Sequence, residues 1–196
     1  MSNILRATLR IYGTRPLLWH HFSADALSPI KREKTGVAGN DPEEWRRTVL
    51  MTAERQLYLK PTYVFGALRD GARYTPRKRG TLQPLVAATL QVVDEQVLID
   101  RFVPPEPLPI DPNEPVYLDV QSVKNPGTGG RNVRYRVAAA PNWSATVTIQ
   151  WDKTVVSRNE LEAVAHDTGR FVGIGDGRAI GYGRFVVVQF AVVDEG

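Results

Sequence analysis

Cysteine is absent from this sequence of 196 residues, and its absence excludes a disulfide framework, a thiol nucleophile and any cysteine-ligated zinc site. Long apolar runs are absent as well, because no window approaches the ~18 apolar residues of a transmembrane helix. The first residues, Met1–Arg6, lack the basic segment and apolar run of a signal peptide. We therefore expect a cytoplasmic protein with no membrane partner.

Recognisable catalytic motifs are also absent. The sequence contains no phosphate-binding Walker loop, no acyl-transfer triad and no carboxylate cluster of the kind that two-metal nucleases use. We predict neither a metal nor another cofactor, and we regard an enzymatic function as the less favoured alternative.

Histidine is scarce, and two of the three histidines are the neighbours His20 and His21. Adjacent side chains of a strand point to opposite faces, so this pair is poorly placed to share a metal ion. The simpler interpretation is that both are polar residues at the end of a strand. The alternative is that His20 or His21 is a general base, a role in which histidine is the usual residue near neutral pH.

The sequence does contain enough apolar material for a folded core. The hydrophobic fraction is 42%, with seven Tyr, six Phe and four Trp residues, and the length suits a single domain over residues 1–196. The net charge of +4 is small and says little about a partner by itself. The positions of the basic residues are more informative.

Local patterns predict a mixture of strands and helices. Alternation predicts strands over residues 4–12, 116–124, 132–137 and 143–151, and the apolar run 185–193 predicts a strand in the centre of a sheet. Helices are predicted from Pro61 and from two capping boxes, Asp41 with Glu44 and Ser157 with Glu160. Gly169 should end the last of these helices. The proline-rich connector and hairpin over residues 104–140 form an insertion in this order.

Five basic residues fall within the eleven positions 69–79, and they are Arg69, Arg73, Arg77, Lys78 and Arg79. The helix that begins at Pro61 would place Arg69 and Arg73 on one face, because they are four residues apart. This cluster is either a solvated charged face or a binding site for nucleic-acid phosphate. We favour the second interpretation, since a local basic cluster in a nearly neutral protein needs a counter-charge.

A glycine-rich segment lies near the C-terminus. Two Gly-hydrophobic-Gly triplets, Gly173–Gly175 and Gly181–Gly183, are separated by five residues that include Arg178, and Arg184 follows directly. Glycine adopts positive φ and lets a partner approach the backbone, and unpaired N–H groups in such turns bind anions, phosphate above all. The segment is therefore either a plain connection between a helix and the last strand or a phosphate-binding loop.

The spacing of these triplets resembles the glycine-rich loop of the RAMP superfamily, the repeat-associated RNA-binding proteins of CRISPR systems. A second segment, Leu57–Arg69, is similar to one common in the backbone subunits of CRISPR effector complexes, although Lys60 precedes the proline and Thr62 and Tyr63 replace small residues. The resemblance is nearest to backbone-type subunits or a stand-alone phage-type relative. It implies an α+β, ferredoxin-like (RRM-like) fold: an antiparallel sheet with helices on one face and a β-hairpin insertion.

The resemblance also implies a function. It suggests a protein that holds single-stranded RNA or DNA, as a homo-oligomer or as a subunit of a ribonucleoprotein complex, with the hairpin as a thumb-like projection along the strand. Tyr182 would either stack on a base or belong to the core. Besides the basic cluster, the implied phosphate-binding residues are Lys124, Arg131, Arg134, Arg136, Gly173, Gly175, Arg178, Gly181, Gly183 and Arg184. Two alternatives stay open: a metal-independent endoribonuclease, and a phage-type structural or assembly protein.

Overall fold

The structure is a computed structural model that describes residues 3–22, 41–124, 127 and 129–193. The strands are β1 Ile4–Gly13, β2 Leu17–Leu18, β3 Gln56–Leu59, β4 Pro76–Arg77, β5 Gly80–Thr81, β6 Gln91–Val92, β7 Val97–Phe102, β8 Val116–Lys124, β9 Arg131–Ala139, β10 Ser144–Asp152 and β11 Phe185–Val193. The α-helices are α1 Glu44–Thr48, α2 Pro61–Gly71, α3 Gln83–Thr89 and α4 Arg158–Asp167. A π-helical turn, Thr168–Val172, and a 3₁₀ turn, Arg178–Ile180, follow α4.

The main sheet is antiparallel and has the order β11-β1-β10-β7-β3, with β6 pairing with β10. In sequence, α2 lies between β1 and β7, and α4 lies between β10 and β11. The four strands β11-β1-β10-β7 and these two helices therefore form the ferredoxin-like arrangement. The predicted α+β fold class is confirmed.

Alternation along the strands decides which face of the sheet the helices cover. Leu9 and Ile11 of β1 are buried in one core cluster with Leu68 of α2 and Leu161 of α4. Burial of each of these side chains contributes about 1.5–3 kcal/mol to the free energy of unfolding. Tyr12 points to the opposite face of β1 and is exposed. Both helices thus lie on one face, as predicted.

The last strand, β11, has the predicted bounds but not the predicted position. Its apolar sequence suggested a central strand, yet the strand order places it at one end of the sheet. The prediction of a central strand was wrong because an apolar composition does not require burial on both faces. Val186 and Val188 remain exposed on the face that the helices leave open.

The predicted hairpin is formed by β8 and β9, and β9 also pairs with β2, which gives a separate three-stranded sheet of order β2-β9-β8. The turn residues Asn125, Pro126 and Thr128 lie outside the described residues. An isolated bridge joins Leu18 of β2 to Asp176 of the glycine-rich segment. This bridge brings the base of the hairpin sheet against the glycine-rich segment.

The two predicted capping boxes had different outcomes. Ser157 Oγ accepts a hydrogen bond from the Glu160 amide, and the Ser157 amide donates to Glu160 Oε2, so the box that begins α4 is confirmed. The helix ends at Asp167, and the π-helical turn carries the chain past Gly169. The box at Asp41 was wrong, because α1 begins at Glu44 without a side-chain cap. None of the helices in the described ranges has the length and apolar composition needed to cross a membrane.

Candidate nucleic-acid interface

The glycine-rich segment is a tightly bonded loop. The four glycines of the two triplets all have positive φ, from 66° at Gly183 to 94° at Gly181. The triplets pair with each other, since the Ile174 amide donates to the Gly183 carbonyl oxygen at 2.9 Å. A Cβ at Gly175 would lie 2.6 Å from Leu17 Cδ1 and 2.8 Å from the Leu18 carbonyl oxygen, so only glycine fits against β2 at that position.

Three consecutive amides of this loop are not used by the fold. Gly177 is left-handed, with φ 70° and ψ 14°, and the right-handed 3₁₀ turn Arg178–Ile180 follows it. Within the described ranges, the amides of Gly177, Arg178 and Ala179 have no hydrogen-bond acceptor. A left-handed residue followed by a right-handed one points successive N–H groups toward a common centre, an arrangement that binds anions.

Residues 177–179 line an open cleft of about 790 Å³ together with Arg73 and Arg184, and we call it the arginine cleft. Arg178 Nη1 lies 3.3 Å from Asp70 Oδ2, and its side chain is still 35% exposed. Arg184 Nη1 is buried and has no hydrogen-bond partner among the described residues. A buried guanidinium N–H without an acceptor is costly, and its positive charge has no carboxylate partner among the described residues.

The basic cluster at residues 69–79 does not form one surface. Arg73 is exposed at the arginine cleft, and Arg69 pairs with Asp70. Arg77 is held at the start of α4, where Nη1 donates to the Val155 carbonyl oxygen at 2.7 Å and Nε lies 3.3 Å from Glu160. Lys78 and Arg79 are exposed at the tip of the β4–β5 hairpin. Of the five residues, the fold brings only Arg73 to the cleft wall.

The basic residues of the β8–β9 hairpin also divide into two groups. Lys124 and Arg131 are exposed toward the tip of the hairpin. Arg136 is only 4% exposed, because its two Nη atoms bind Asp119 at 2.8 Å and Asp176 at 2.9 Å. Arg136 is therefore not available to bind phosphate, contrary to the prediction from the sequence. It fixes the hairpin to the glycine-rich loop instead, since Asp176 belongs to that loop.

Glu44 makes a second connection to the hairpin. Its carboxylate accepts hydrogen bonds from Arg134 Nη1 and, at 3.1 Å, from the Tyr135 amide, and it lies 3.2 Å from His20 Nε2. Burial opposes ionisation of Glu44, but the hydrogen bonds of His20, Tyr135 and Arg134 outweigh it and lower the pKa to about 2. Arg134 thus holds α1 against β9, and we no longer count it among the candidate phosphate-binding residues.

The low pKa of Glu44 predicts a specific acid sensitivity. The contribution of the Glu44 carboxylate to the free energy of unfolding is complete above pH ~4.5 and is lost as the pH falls toward 2. In the Glu44→Gln variant, the decrease in the free energy of unfolding between pH ~4.5 and 2 should be smaller by about 1–3 kcal/mol. Urea unfolding at pH 7, 4 and 3 measures the effect. The exposed neighbour Glu43 is the matched control, and a Glu43→Gln variant that flattens the profile equally would contradict the assignment.

The neighbouring histidine occupies a different environment. His21 Nδ1 lies 3.0 Å from the Tyr63 hydroxyl oxygen, and Nε2 lies 3.0 Å from Lys60 Nζ. Burial and the Lys60 ammonium group lower the pKa of His21, so the ring is neutral at pH 7. Because the Lys60 ammonium group can only donate, His21 Nε2 accepts a hydrogen bond from Lys60 Nζ, and Nδ1–H donates to the Tyr63 hydroxyl oxygen. The lone pair that a general base needs is therefore already occupied.

Tyr182 is placed in a small cluster rather than at a free surface. Its ring packs against Leu18, Tyr117 and Ala138, and its hydroxyl accepts a hydrogen bond from Gln121 Nε2. This packing ties the loop to the hairpin, and we do not retain Tyr182 as a base-stacking residue.

Sequence reasoning missed two aromatic residues in the wall of the arginine cleft. Tyr74 is 50% exposed and Phe171 is 44% exposed, and both line the cleft. Each directly follows an arginine in the sequence, Arg73 and Arg170. An arginine next to an exposed aromatic residue combines a phosphate contact with a stacking surface, and this pattern was the signal available for finding them.

Comparison with known proteins finds no matching family model and no matching curated protein. A similar solved structure is a chain of the Type III-B Cmr-beta complex bound to cognate target RNA, determined by cryo-electron microscopy. The TM-score is 0.55 at 12% sequence identity, and the similarity covers 97% of this chain and 61% of that chain. At this identity the similarity supports the fold and nothing finer. The protein spans about three fifths of the length of the solved chain.

Proposed function

We propose that this protein binds single-stranded nucleic acid, and RNA in particular, by holding backbone phosphate in the arginine cleft. The observation that carries the proposal is an open cleft that gathers Arg73, Arg178 and Arg184 beside three consecutive amides with no acceptor among the described residues. Phosphate oxygens are the acceptors that arginine and unpaired amides bind most readily. The adjacent amides of residues 177–179 would satisfy further phosphate oxygens.

The choice of RNA rests on a different observation. The similar Cmr-beta chain comes from a complex bound to target RNA, and the glycine-rich loop resembles that of RNA-binding RAMP proteins. We therefore propose a single RAMP-like domain over residues 1–196 in which the insertion 104–140 is a thumb-like hairpin. Its exposed Lys124 and Arg131 would contact phosphates further along the strand. Such contacts position the strand without reading its sequence. The domain would act as a homo-oligomer or as a subunit of a ribonucleoprotein complex.

The proposal predicts tight binding of single strands that depends on Arg178. We expect a labelled 20-nucleotide RNA strand to bind, and Arg178→Ala to weaken binding about tenfold, because a hydrogen bond to a charged group contributes about 1.5–3 kcal/mol. Fluorescence anisotropy measures the affinity, with single-stranded DNA and an RNA duplex as competitors. Arg158→Ala is the matched control, since it removes one positive charge from an arginine that is 51% exposed on α4.

Two outcomes would contradict the proposal. Absence of RNA binding by the parent protein would do so directly. Equal losses in Arg178→Ala and Arg158→Ala would show a general charge effect without a site.

The alternative of a metal-independent endoribonuclease has one supporting observation. His21 is neutral and lies within hydrogen-bonding distance of Lys60 and Tyr63, and these three side chains could supply a base and a positive charge to a phosphate. The nuclease is the second candidate because His21 Nε2 already accepts a hydrogen bond from Lys60. The same RNA, incubated in chelator and analysed on a gel, distinguishes the two. Site-specific cuts that disappear in His21→Ala would favour the nuclease.

A further inference from the structure

Tyr74 and Phe171 form an exposed aromatic pair at the wall of the arginine cleft. Their ring centroids are 5.3 Å apart, and the ring planes are tilted by 42°. The Arg170 guanidinium carbon lies 5.8 Å from the centre of the Phe171 ring. Two large aromatic side chains that are about half exposed and in contact leave ring faces open to solvent beside the arginines of the cleft.

The local backbone holds both rings in place. A Cβ at Gly71 would lie 1.9 Å from Thr168 Oγ1, so the end of α2 and the π-helical turn can approach each other only because residue 71 is glycine. Tyr74 follows in the turn after α2, where its amide donates to the Gly71 carbonyl oxygen at 2.9 Å. Phe171 lies within the π-helical turn that continues α4. Such turns are rare and occur frequently at functional sites.

The charges around the pair favour a nucleotide over an apolar protein segment. Arg73, Arg178 and Arg184 line the same cleft, whereas its two acids are already paired, Asp70 with Arg178 and Asp176 with Arg136. A ligand for this cleft needs an anionic group for the floor and a flat group for the wall. A nucleotide unit with an unpaired base supplies both.

We infer that Tyr74 and Phe171 are the base-stacking wall of the arginine cleft, which therefore takes a nucleotide whose base is free of a duplex. The inference rests on the proposed function and adds what the phosphate contacts alone do not give, a requirement for a single strand. A base inside a duplex is stacked on its neighbours and cannot lie flat against this wall. Stacking on an aromatic side chain tolerates every base, so the wall selects strandedness rather than sequence.

The experiment compares a ten-nucleotide uridine strand with an abasic strand of the same length and charge. The parent protein should bind the uridine strand at least about fivefold more tightly, the lower end of what base–aromatic stacking contributes. Phe171→Ala and Tyr74→Ala should each reduce this preference and leave the affinity for the abasic strand unchanged. Phe171→Trp should keep the preference, and its tryptophan fluorescence should be quenched by the uridine strand alone.

Phe102→Ala is the matched control, because Phe102 is 55% exposed at the end of β7 and does not line the cleft. It should bind both strands as the parent does. If Phe171→Ala also binds the uridine strand as the parent does, while Arg178→Ala weakens both strands, the stacking inference is overturned and phosphate binding stands. If the parent binds neither strand, the proposed function itself fails and the inference fails with it.

Discussion

Replacing Arg136 with alanine is expected to lower the free energy of unfolding by about 3–5 kcal/mol, because it leaves the carboxylate of Asp119 buried without its positively charged partner. Asp119 is 9% exposed, and Arg136 Nη2 is 2.8 Å from Asp119 Oδ2. The loss is a large fraction of the total for a domain of this size, which is typically about 5–15 kcal/mol. Urea unfolding at pH 7 measures it. The variant should also bind nucleic acid more weakly, since Asp176 of the loop loses the same partner.

Two further variants test whether the buried charge is the cause. Arg136→Met combined with Asp119→Asn removes both buried charges, and it should recover a substantial part of the stability, because Asp176 is 39% exposed and can be hydrated. Arg131→Ala removes an exposed arginine from the same strand and should change the free energy of unfolding by less than about 0.5 kcal/mol. If Arg136→Ala costs no more than Arg131→Ala, the ion pairs do not hold the hairpin to the loop.

Arg136 also shows where sequence reasoning stops. Its alternation with Val133, Tyr135 and Val137 predicts a position on the polar face of a strand, but it does not predict which residues cover that face. The acids that bury it lie 17 and 40 residues away in sequence. A local pattern carries no information about contacts at such separations.

The two capping boxes make the same point. Ser157 and Glu160 satisfy each other within one helical turn, so the sequence predicted their contact correctly. Glu44 had the same spacing from Asp41, but its carboxylate binds Arg134 and Tyr135 about ninety residues later. Glu44 therefore forms long-range hydrogen bonds to Arg134 and to the Tyr135 amide instead of a local capping box with Asp41. The five long strands, α2 and α4 followed from local patterns, and the fold class followed from the resemblance to a known family. The arginine cleft followed from neither, because it is assembled from two distant segments.

The second prediction with a large effect concerns the arginine cleft itself. A variant with alanine at Arg73, Arg178 and Arg184 should bind single-stranded RNA at least about 100-fold more weakly, since each charged hydrogen bond contributes about 1.5 kcal/mol or more. The free energy of unfolding should change by less than about 1 kcal/mol. The Arg73 side chain has no hydrogen-bond or ion-pair partner among the described residues, Arg184 Nη1 has no acceptor there, and Asp70 keeps its contact with Arg69.

This combination of effects separates a binding role from a structural one. A variant that binds weakly because it is unfolded would lose both affinity and its cooperative unfolding transition. A variant with three alanines at exposed arginines elsewhere, at positions 10, 131 and 158, carries the same change in net charge and is the matched control. The control variant should lose some affinity for RNA, because Arg131 is itself a proposed phosphate contact on the hairpin. The loss should be much smaller than in the cleft variant, because only one of its three arginines is such a contact.

The most direct test of phosphate binding in the arginine cleft is the salt dependence of RNA affinity. For single strands, the logarithm of the association constant falls with the logarithm of the salt concentration by about 0.7 for each phosphate neutralised. Titration of the uridine strand at several salt concentrations gives this slope for the parent and for the variant with alanine at Arg73, Arg178 and Arg184. The account predicts that the variant's slope is shallower by about two. A slope and affinity equal to those of the parent would contradict it.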